Sequence, residues 1–361
     1  MHSLMRRAWV DVDLGALLRN AQAIAARAGV PLLPMVKADG YGLGAIRVAR
    51  ALDGLEPWGF GVADVAEGEE LRRAGITRPI VVFTPLLVGD FDAAERANLT
   101  PTLGARDTIV SWQRTGRPWQ LAIDTGMNRA GLPWTDVESL RGLLAVDAPE
   151  GVFTHFHSAE RNDATRDEQE KRFAAAIAQL PVRPAMVHAE NSPAVEHRGP
   201  SPWTVARPGV FLYGASSGNA PAILPEIVAS VRARVVDCRM VADGESVSYG
   251  ATWRAEGARR IATLAIGYGD GYRRAFGNRA QVLLNGRRAP VAGVVTMDMT
   301  MIDVTGISCE IGDVATLLGV DGTERITVNE LADLGELSPY EVLTGLRGRL
   351  PRRYIDPTDE A

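Results

Sequence analysis

The chain has 361 residues, and its 39 Lys and Arg against 44 Asp and Glu give a formal net charge of −5 at pH 7. That charge supplies no broad cationic surface for nucleic acid or anionic lipid. The hydrophobic share of 46% excludes disordered and fibrous proteins. The uncharged stretch from Pro208 to Pro225 is interrupted by prolines and glycines, so we predict strand and loop there and no membrane span.

The two cysteines, Cys238 and Cys309, are too few for a disulfide framework or a cysteine-based metal site. We expect both to be buried, reduced thiols of a cytoplasmic protein. The N-terminal residues lack the apolar segment of a signal peptide. The composition therefore indicates a cytoplasmic enzyme of about two domains.

The first 230 residues alternate between short apolar runs and amphipathic segments. This alternation predicts parallel strands buried beneath helices, and eight strands fit a (β/α)8 barrel better than a doubly wound open sheet. The predicted strands are Leu32–Lys37, Trp58–Asp64, Pro79–Thr84, Leu99–Leu103, Trp119–Asp124, Gly151–His155, Ala185–Ala189 and Val205–Tyr213. The predicted helices include Leu43–Leu52, Val65–Ala74, Asp90–Ala97, Trp134–Ala145 and Thr165–Leu180.

From about Ile227 onward the pattern changes to strand-like runs separated by turn signals such as Asn285-Gly286. The predicted fold is therefore α/β, with an N-terminal (β/α)8 TIM barrel over residues 10–228. A C-terminal, mainly antiparallel β domain follows over residues 229–361, and we expect residues 1–9 to join it. Its predicted strands are Ile227–Val241, Arg259–Ile266, Ala280–Leu284, Ala289–Val295, Thr300–Val304 and Val314–Leu318, with helices at Asn329–Leu334 and Pro339–Leu346.

Lys37 ends the first predicted strand and is followed by glycines and Tyr41. A desolvated lysine at the mouth of a barrel has a lowered pKa and can form a Schiff base, and glycines allow a loop to approach a phosphate. One alternative is a solvated lysine at the end of a strand. Another is a dinucleotide-binding fingerprint, because Gly40–Ala45 matches G-x-G-x-x-[G/A] and Asp64 follows the next strand. Lys37 and Asp39 fit poorly beside a pyrophosphate, which disfavours that alternative.

Two histidines, His155 and His157, would face the same side of a strand. With His188 they could form a zinc site. However, His157 begins a polar loop, and no further His/Asp pair falls at a later strand end. We therefore favour a histidine that packs on a ligand ring, and we predict no metal site.

Two arginines and a serine follow other predicted strands. Arg129 could bind a carboxylate through its planar guanidinium, although a solvated loop arginine is the alternative. Arg207 lies in an apolar run and requires a buried partner, which could be a structural ion pair. Ser192 and the amides of Gly209 and Val210 could bind a phosphate, since phosphate sites usually follow the last two barrel strands.

Together these motifs resemble the pyridoxal-phosphate-dependent alanine racemases, and the resemblance extends from Trp9 to Tyr354. It implies interconversion of L- and D-alanine, for peptidoglycan synthesis, by a homodimer with shared active sites. Lys37 would bind pyridoxal 5'-phosphate and act as one acid/base, and Tyr249 from the other subunit would act on the opposite face. A broad-specificity racemase for serine or basic amino acids is the alternative.

The resemblance also implies roles for the remaining site residues. Arg207 would donate to the pyridine nitrogen with His188 behind it, and Arg129 and the Met297 amide would bind the substrate carboxylate. The cofactor-binding residues would be Lys37, Tyr41, His155, Ser192, Arg207, Gly209, Val210 and Tyr354. The residues that line the entrance or lie next to it would be Tyr268, Arg274, Asp298 and Tyr354.

Two positions depart from the family pattern. Ala122 stands where many members have a lysine modified to a carbamate, which orients the arginine at position 129. Here Arg129 must be positioned by a neighbouring side chain, water or a bound anion. Val294 stands where the family often has arginine, a change that would widen the entrance.

Overall fold

A curled parallel sheet forms the N-terminal half of the chain. The computed structural model describes residues 6–161, 163–218 and 220–356. Within this part, each main strand of the sheet pairs in parallel with the next, and Leu132–Pro133 adds a short pairing beside one of them. The main strands are Phe60–Val62, Ile80–Val82, Thr100–Leu103, Gln120–Asp124, Gly151–Phe153 and Met186–His188.

The first and last predicted barrel strands connect the two edges of this sheet. Met35 forms a parallel bridge with Gly61, and Leu32 forms one with Ala206. The peptide N–H of residue 204 donates to the carbonyl oxygen of Val187 at 2.9 Å. All eight predicted segments therefore take part in one barrel, and the predicted fold class is confirmed.

The helices that cover the barrel begin with Leu14–Ala28. Asp13 accepts a hydrogen bond from the N–H of Ala16 at 2.8 Å, and the helix ends at Gly29, whose φ is +67°. In the described residues no helix combines the length and apolar character needed to cross a membrane. The other α-helices of this half are Ala45–Asp53, Val65–Arg73, Phe91–Arg96, Arg106–Gln113, Arg141–Val146, Thr165–Ala178 and Ser192–Arg198.

The C-terminal sheet is built around one long strand, Ala229–Val241. It pairs antiparallel with Ala8–Asp13, Val314–Asp321 and Arg259–Leu264. The remaining strands of this sheet are Gln281–Leu284, Arg287–Pro290, Thr300–Asp303, Glu324–Ile326 and Arg352–Ile355, the last of which runs parallel to Ala8–Asp13. A separate hairpin joins Ser246–Val247 to Trp253–Arg254, and two helices, Val328–Gly335 and Pro339–Thr344, precede the last strand.

The two halves share one hydrophobic core. The strand Ala8–Asp13 belongs to the C-terminal sheet, and the helix Leu14–Ala28 follows it without a break and packs on the barrel. Buried Asn20 on this helix donates to the carbonyl oxygen of Glu226 at 2.9 Å and accepts from its N–H at 2.7 Å. This side chain therefore ties the barrel to the segment that enters the long strand.

Several predicted elements differ from the structure. The run Val205–Tyr213 is not a continuous strand, because after the bridge at Ala206 the chain turns and Val210–Tyr213 forms a 3-10 helix. The predicted helix Trp134–Ala145 divides into a 3-10 turn and a short α-helix. The alternation in sequence does not reveal the helices Leu14–Ala28 and Arg106–Gln113.

The two cysteines are free thiols, as predicted. Cys309 is buried, but Cys238 is only half-buried, so the prediction that both are buried is wrong for Cys238. The reason is its position on the long strand, where the alternation of buried and half-buried residues ends at Val235 and residues 236–240 are all half-buried or exposed.

We expect Asn20→Ala to lower the free energy of unfolding by about 2 kcal/mol, because it removes two hydrogen bonds to the backbone of Glu226, each worth about 1 kcal/mol. Urea denaturation would measure the change. Gln22→Ala, at an exposed position of the same helix, is the matched control. Equal unfolding midpoints for the two variants would contradict this role of Asn20.

Candidate active site

A cavity of about 380 Å³ opens at the carboxyl ends of the barrel strands. Lys37, Arg129 and His155 all line it. They come from three separate parts of the chain, and the parallel barrel brings them to one face because every strand ends there. The carboxyl-terminal face is the position of active sites in barrel enzymes.

The backbone after Lys37 forms a left-handed turn. Residues 38–41 all have φ between 53° and 59°. This left-handed conformation is unfavourable by about 1–2 kcal/mol for each residue that carries a side chain. The N–H of Ala38 donates to the Glu67 carboxylate at 2.7 Å, and the Asp39 carboxylate accepts a 2.8 Å hydrogen bond from the first N–H of the next helix. Lys37 therefore begins a constrained turn. The prediction that it ends a regular strand is wrong.

The environment of Lys37 lowers the pKa of its amine. Burial is the largest cause, and the positive charges of Arg129 and Arg207 act in the same direction. The negative charge of Glu67 opposes them. The balance increases the neutral, nucleophilic fraction of the amine near neutral pH.

Arg207 is buried behind this cavity and is held by neutral acceptors. One Nη donates to His188 Nδ1 at 2.7 Å, and the other donates to the carbonyl oxygens of Thr154 and Ala189 at 2.9 and 3.0 Å. His188 Nε2 lies 2.8 Å from Gln120 Oε1, so Nε2 carries the proton and Nδ1 is free to accept. Burial lowers the pKa of His188 well below its usual value, which keeps the ring neutral.

A structural ion pair does not account for Arg207. Within the described part of the chain no carboxylate lies at ion-pair distance from it, and the nearby buried Glu190 pairs with Arg166 at 3.1 Å. Burial lowers the pKa of Arg207 to about 9, and Glu190 partly offsets this effect. These three hydrogen bonds leave the Nε proton and one Nη proton available to a ligand.

His155 and His157 do not form a metal site. His155 lies 3.4 Å from an Nη of Arg207, whereas His157 is exposed and hydrogen-bonds Ser158 Oγ at 2.7 Å. Burial, followed by the charges of Arg207, Arg129 and Lys37, lowers the pKa of His155 to about 3. Among the described residues there is no group of three or more possible metal ligands.

The predicted phosphate site lies beside the left-handed turn. Ser192 Oγ is buried and accepts from the N–H groups of Gly209 at 2.8 Å and Phe211 at 3.3 Å, which leaves its own proton for an anion. A side chain at Gly209 would overlap the Tyr41 hydroxyl, so glycine permits their close approach. Because the Gly209 N–H already binds Ser192, that amide supports the hydroxyl in this structure. Val210 follows as the start of the 3-10 helix.

Tyr354 reaches the same region from the last strand of the C-terminal sheet. Its hydroxyl donates to the carbonyl oxygen of Leu43 at 3.0 Å, and a side chain at Gly44 would overlap it. The Arg47 guanidinium lies 4.6 Å from the centre of the Tyr354 ring. Ser192, Gly209 and Tyr354 do not line the Lys37 cavity itself, and Tyr41 connects them to it through the turn.

The other five predicted residues of the β domain do not line this cavity in the described chain. Tyr249 is 74% exposed and Met297 is 54% exposed. Tyr268, Arg274 and Asp298 are also exposed, and Asp298 pairs with Arg349 at 2.6 Å. In the described residues of one chain, none of the five lines the Lys37 cavity.

The cavity wall near Arg129 reflects the departure at Ala122. Ala122 and Thr102 both line the cavity, and the buried Thr102 hydroxyl has no hydrogen-bond partner in the described residues. Asp124 Oδ1 accepts from the N–H of Gly126 at 2.8 Å and of residue 128 at 3.1 Å. These bonds shape the loop that carries Arg129.

Three supporting residues are absent from the predicted site: Glu67, Gln120 and Asp124. Asp124 lies inside a motif that the sequence singles out, but its bonds to the following loop require the folded geometry. Gln120 is a polar residue in an apolar strand, which is a signal of a buried partner. Glu67 lies three residues after the helix cap Asp64. Acidic residues are common in the first turn of a helix, so the sequence gives no sign of its role at the site.

Comparison with known families gives two matches that together span most of the chain. Residues 12–217 match the model for the alanine racemase N-terminal domain, and residues 228–354 match that for the alanine racemase C-terminal domain. The chain belongs to the alanine racemase family. The resemblance of the sequence motifs is thereby confirmed, and the chain is an isomerase of this family.

Relatives and solved structures agree over almost the full length. Alanine racemase from Symbiobacterium thermophilum is 38% identical, and the match covers 97% of each protein. The crystal structure of alanine racemase from E. faecalis has a TM-score of 0.92 at 30% identity, covering 98% of this chain and 99% of that one. Alanine racemase from Bartonella henselae, solved with covalently bound pyridoxal phosphate, has a TM-score of 0.89 at 25% identity and covers 97% and 99%.

We expect His155 to remain neutral down to pH 5 in the ligand-free protein, because its pKa is lowered to about 3. Its stabilising contribution should be complete above the ordinary histidine pKa of about 6.5 and should be lost as the pH falls toward the folded-state value. NMR titration of the imidazole resonances would measure this, with His155→Gln to assign the signal. An inflection near pH 6.5 would contradict the prediction.

Proposed function

We propose that this chain is an alanine racemase that binds pyridoxal 5'-phosphate at Lys37 and acts as a homodimer. The observation that carries the proposal is the position of Lys37, in a cavity that lowers the pKa of its amine. The sequence has one other lysine, Lys171, which is exposed on the helix Thr165–Ala178. Lys37 is therefore the amine available to a carbonyl compound inside the barrel.

The donors around Lys37 fit this cofactor. An aldehyde requires a neutral amine, a phosphate requires hydrogen-bond donors, and a pyridine nitrogen accepts a hydrogen bond. Lys37, the Ser192 and Tyr41 hydroxyls, and Arg207 Nε supply these groups. His155, held neutral at the cavity wall, is suited to pack on an aromatic ring without adding charge.

Arg207 distinguishes racemisation from other reactions of this cofactor. When bound, the cofactor supplies a conjugated ring that withdraws electrons and acidifies the α-proton of the amino acid. A guanidinium keeps its proton, so Arg207 would hydrogen-bond the ring nitrogen without protonating it. Arg207 therefore limits electron withdrawal and favours return of a proton to the α-carbon.

Racemisation requires one acid/base group on each face of the α-carbon. Lys37 would transfer the proton on one face and Tyr249 of the second subunit on the other. A phenol ionises near pH 10 in water, so a base of this type requires a cationic neighbour. Arg129 lines the cavity and would supply that charge while it binds the substrate carboxylate.

The exposure of the β-domain residues supports a shared site. Tyr249 and Met297 are more than half exposed in one chain, and no tyrosine is among the residues of the described chain that line the Lys37 cavity. A head-to-tail arrangement of two copies would place these exposed residues over the partner's cavity and make two equivalent sites. Met297, Tyr268, Arg274 and Asp298 would then line the entrance.

The main substrate would be alanine, and D-alanine would be supplied in the cytoplasm for peptidoglycan. A broader substrate range is the second candidate, because Ala122 leaves the cavity wall without a long side chain and the Thr102 hydroxyl there has no partner among the described residues. Val294 at the predicted entrance would also admit larger amino acids.

Borohydride treatment of the purified protein should attach the cofactor to Lys37, and a circular-dichroism assay should show interconversion of L- and D-alanine. Lys37→Ala should abolish the adduct and lower the racemisation rate by at least ~10³-fold, because it removes an acid/base group. Lys171→Arg should retain both. A colourless protein that racemises nothing would refute the proposal, and a panel of serine, lysine and arginine would measure the substrate range.

A further inference from the structure

The Glu67 carboxylate joins two backbone segments that border the Lys37 cavity. Its Oε1 accepts from the N–H of Ala38, the residue after Lys37, at 2.7 Å. Its Oε2 accepts from the N–H of Ala63, a cavity-lining residue, also at 2.7 Å. Glu67 itself does not line the cavity, so it acts on the site through these two groups.

These hydrogen bonds lie outside the helix to which Glu67 belongs. Glu67 is in the first turn of Val65–Arg73, and its own N–H is capped by Asp64 at 3.0 Å. The N–H groups of Ala38 and Ala63 precede this helix in the chain and are not part of it. The bond to Ala63 resembles the return bond of a capping box, but helix capping does not explain the bond to Ala38, which lies 29 positions away in the chain.

The segment that Glu67 holds is strained. Ala38 is the first of four successive residues with positive φ, and three of these four carry a side chain. Such a turn persists only where the surrounding structure fixes it. On the other side the turn is fixed by Asp39, which leaves Glu67 as the side-chain contact nearest to Lys37.

We propose that Glu67 is a positioning residue that fixes the backbone of Lys37 and thereby directs its amine toward the bound cofactor. This inference rests on the proposed function, because it requires Lys37 to be the cofactor-binding lysine. Both carboxylate oxygens take part, so the length of the side chain and its charge contribute separately.

The charge of Glu67 also acts on Lys37. It raises the pKa of the Lys37 amine against the larger lowering by burial and by Arg129. Removal of this charge should therefore shift ionisation of the amine to lower pH. The titratable groups around Lys37 in the described chain include Arg129, Arg207, neutral His155, Glu67 and Asp124, together with Asp39 and Tyr41 on its own turn.

Two variants separate the contributions. Glu67→Gln keeps the length but removes the charge and one of the two acceptor oxygens, and Glu67→Asp keeps the charge but is too short to reach both N–H groups. Glu70→Gln, at an exposed position of the same helix, is the matched control. Pyridoxal 5'-phosphate would be added to full-length protein freed of cofactor, and its absorbance would give the binding rate and affinity from pH 6 to 10.

For Glu67→Gln we expect the pH midpoint of the binding rate to move to lower pH. For Glu67→Asp we expect a wild-type midpoint and an affinity weaker by ~10-fold or more, because a misdirected amine reacts poorly. Urea denaturation of each variant would show whether unfolding accounts for the loss. Wild-type midpoints and affinities in both variants, or affinity losses that only follow lost stability, would overturn the role of Glu67.

The wild-type protein separates this inference from the proposed function. Wild-type protein that gains no visible absorbance with pyridoxal 5'-phosphate, and no borohydride adduct at Lys37, would refute the proposed function and the Glu67 inference with it. A wild-type adduct together with unchanged Glu67 variants would refute the Glu67 inference alone.

Discussion

Burial, together with mutual repulsion among three cationic groups, determines the charge state of this site. Lys37 and Arg129 line one cavity and Arg207 lies behind it, and their charges act on one another and on His155. The repulsion adds to burial, so the lysine amine is driven toward its neutral form and His155 stays neutral. A ligand that carries a phosphate and a carboxylate would relieve the same repulsion. The cavity is thus suited to an anionic carbonyl compound before any particular reaction is considered.

The barrel supplies one side of the proposed reaction, and the C-terminal domain presents the other side to a second molecule. The strand Ala8–Asp13 lies in the C-terminal sheet, while the helix Leu14–Ala28 that follows it packs on the barrel. The chain thereby fixes the two halves to each other over one core. In the proposed dimer this connection would set the position of Tyr249 relative to the Lys37 of the other chain. Lys37 is fixed to the barrel of its chain, and Tyr249 is fixed to the C-terminal domain of its own.

The sequence predicts the architecture and the main cavity residues because these depend on local patterns. Apolar runs alternating with helices are sufficient for the barrel, and Lys37, Arg129 and His155 follow strand ends that meet at one face. The apolar residues Val210–Tyr213 look like a strand, but they lie between Gly209 and Gly214, and Gly214 has a φ of +86°. Glu67 contacts a residue 29 positions away and Gln120 one 68 positions away. Such contacts leave no periodic signal, so only the folded chain reveals them.

In the proposed dimer, each active site takes Lys37 from one chain and Tyr249 from the other. Mixing the inactive variants Lys37→Ala and Tyr249→Phe under conditions of subunit exchange tests this sharing. Half of the dimers would then be mixed, and each mixed dimer would have one site with both native residues. Such a mixture should recover about one quarter of wild-type racemase activity. Mixed dimers that remain as inactive as the two parent variants would contradict this sharing.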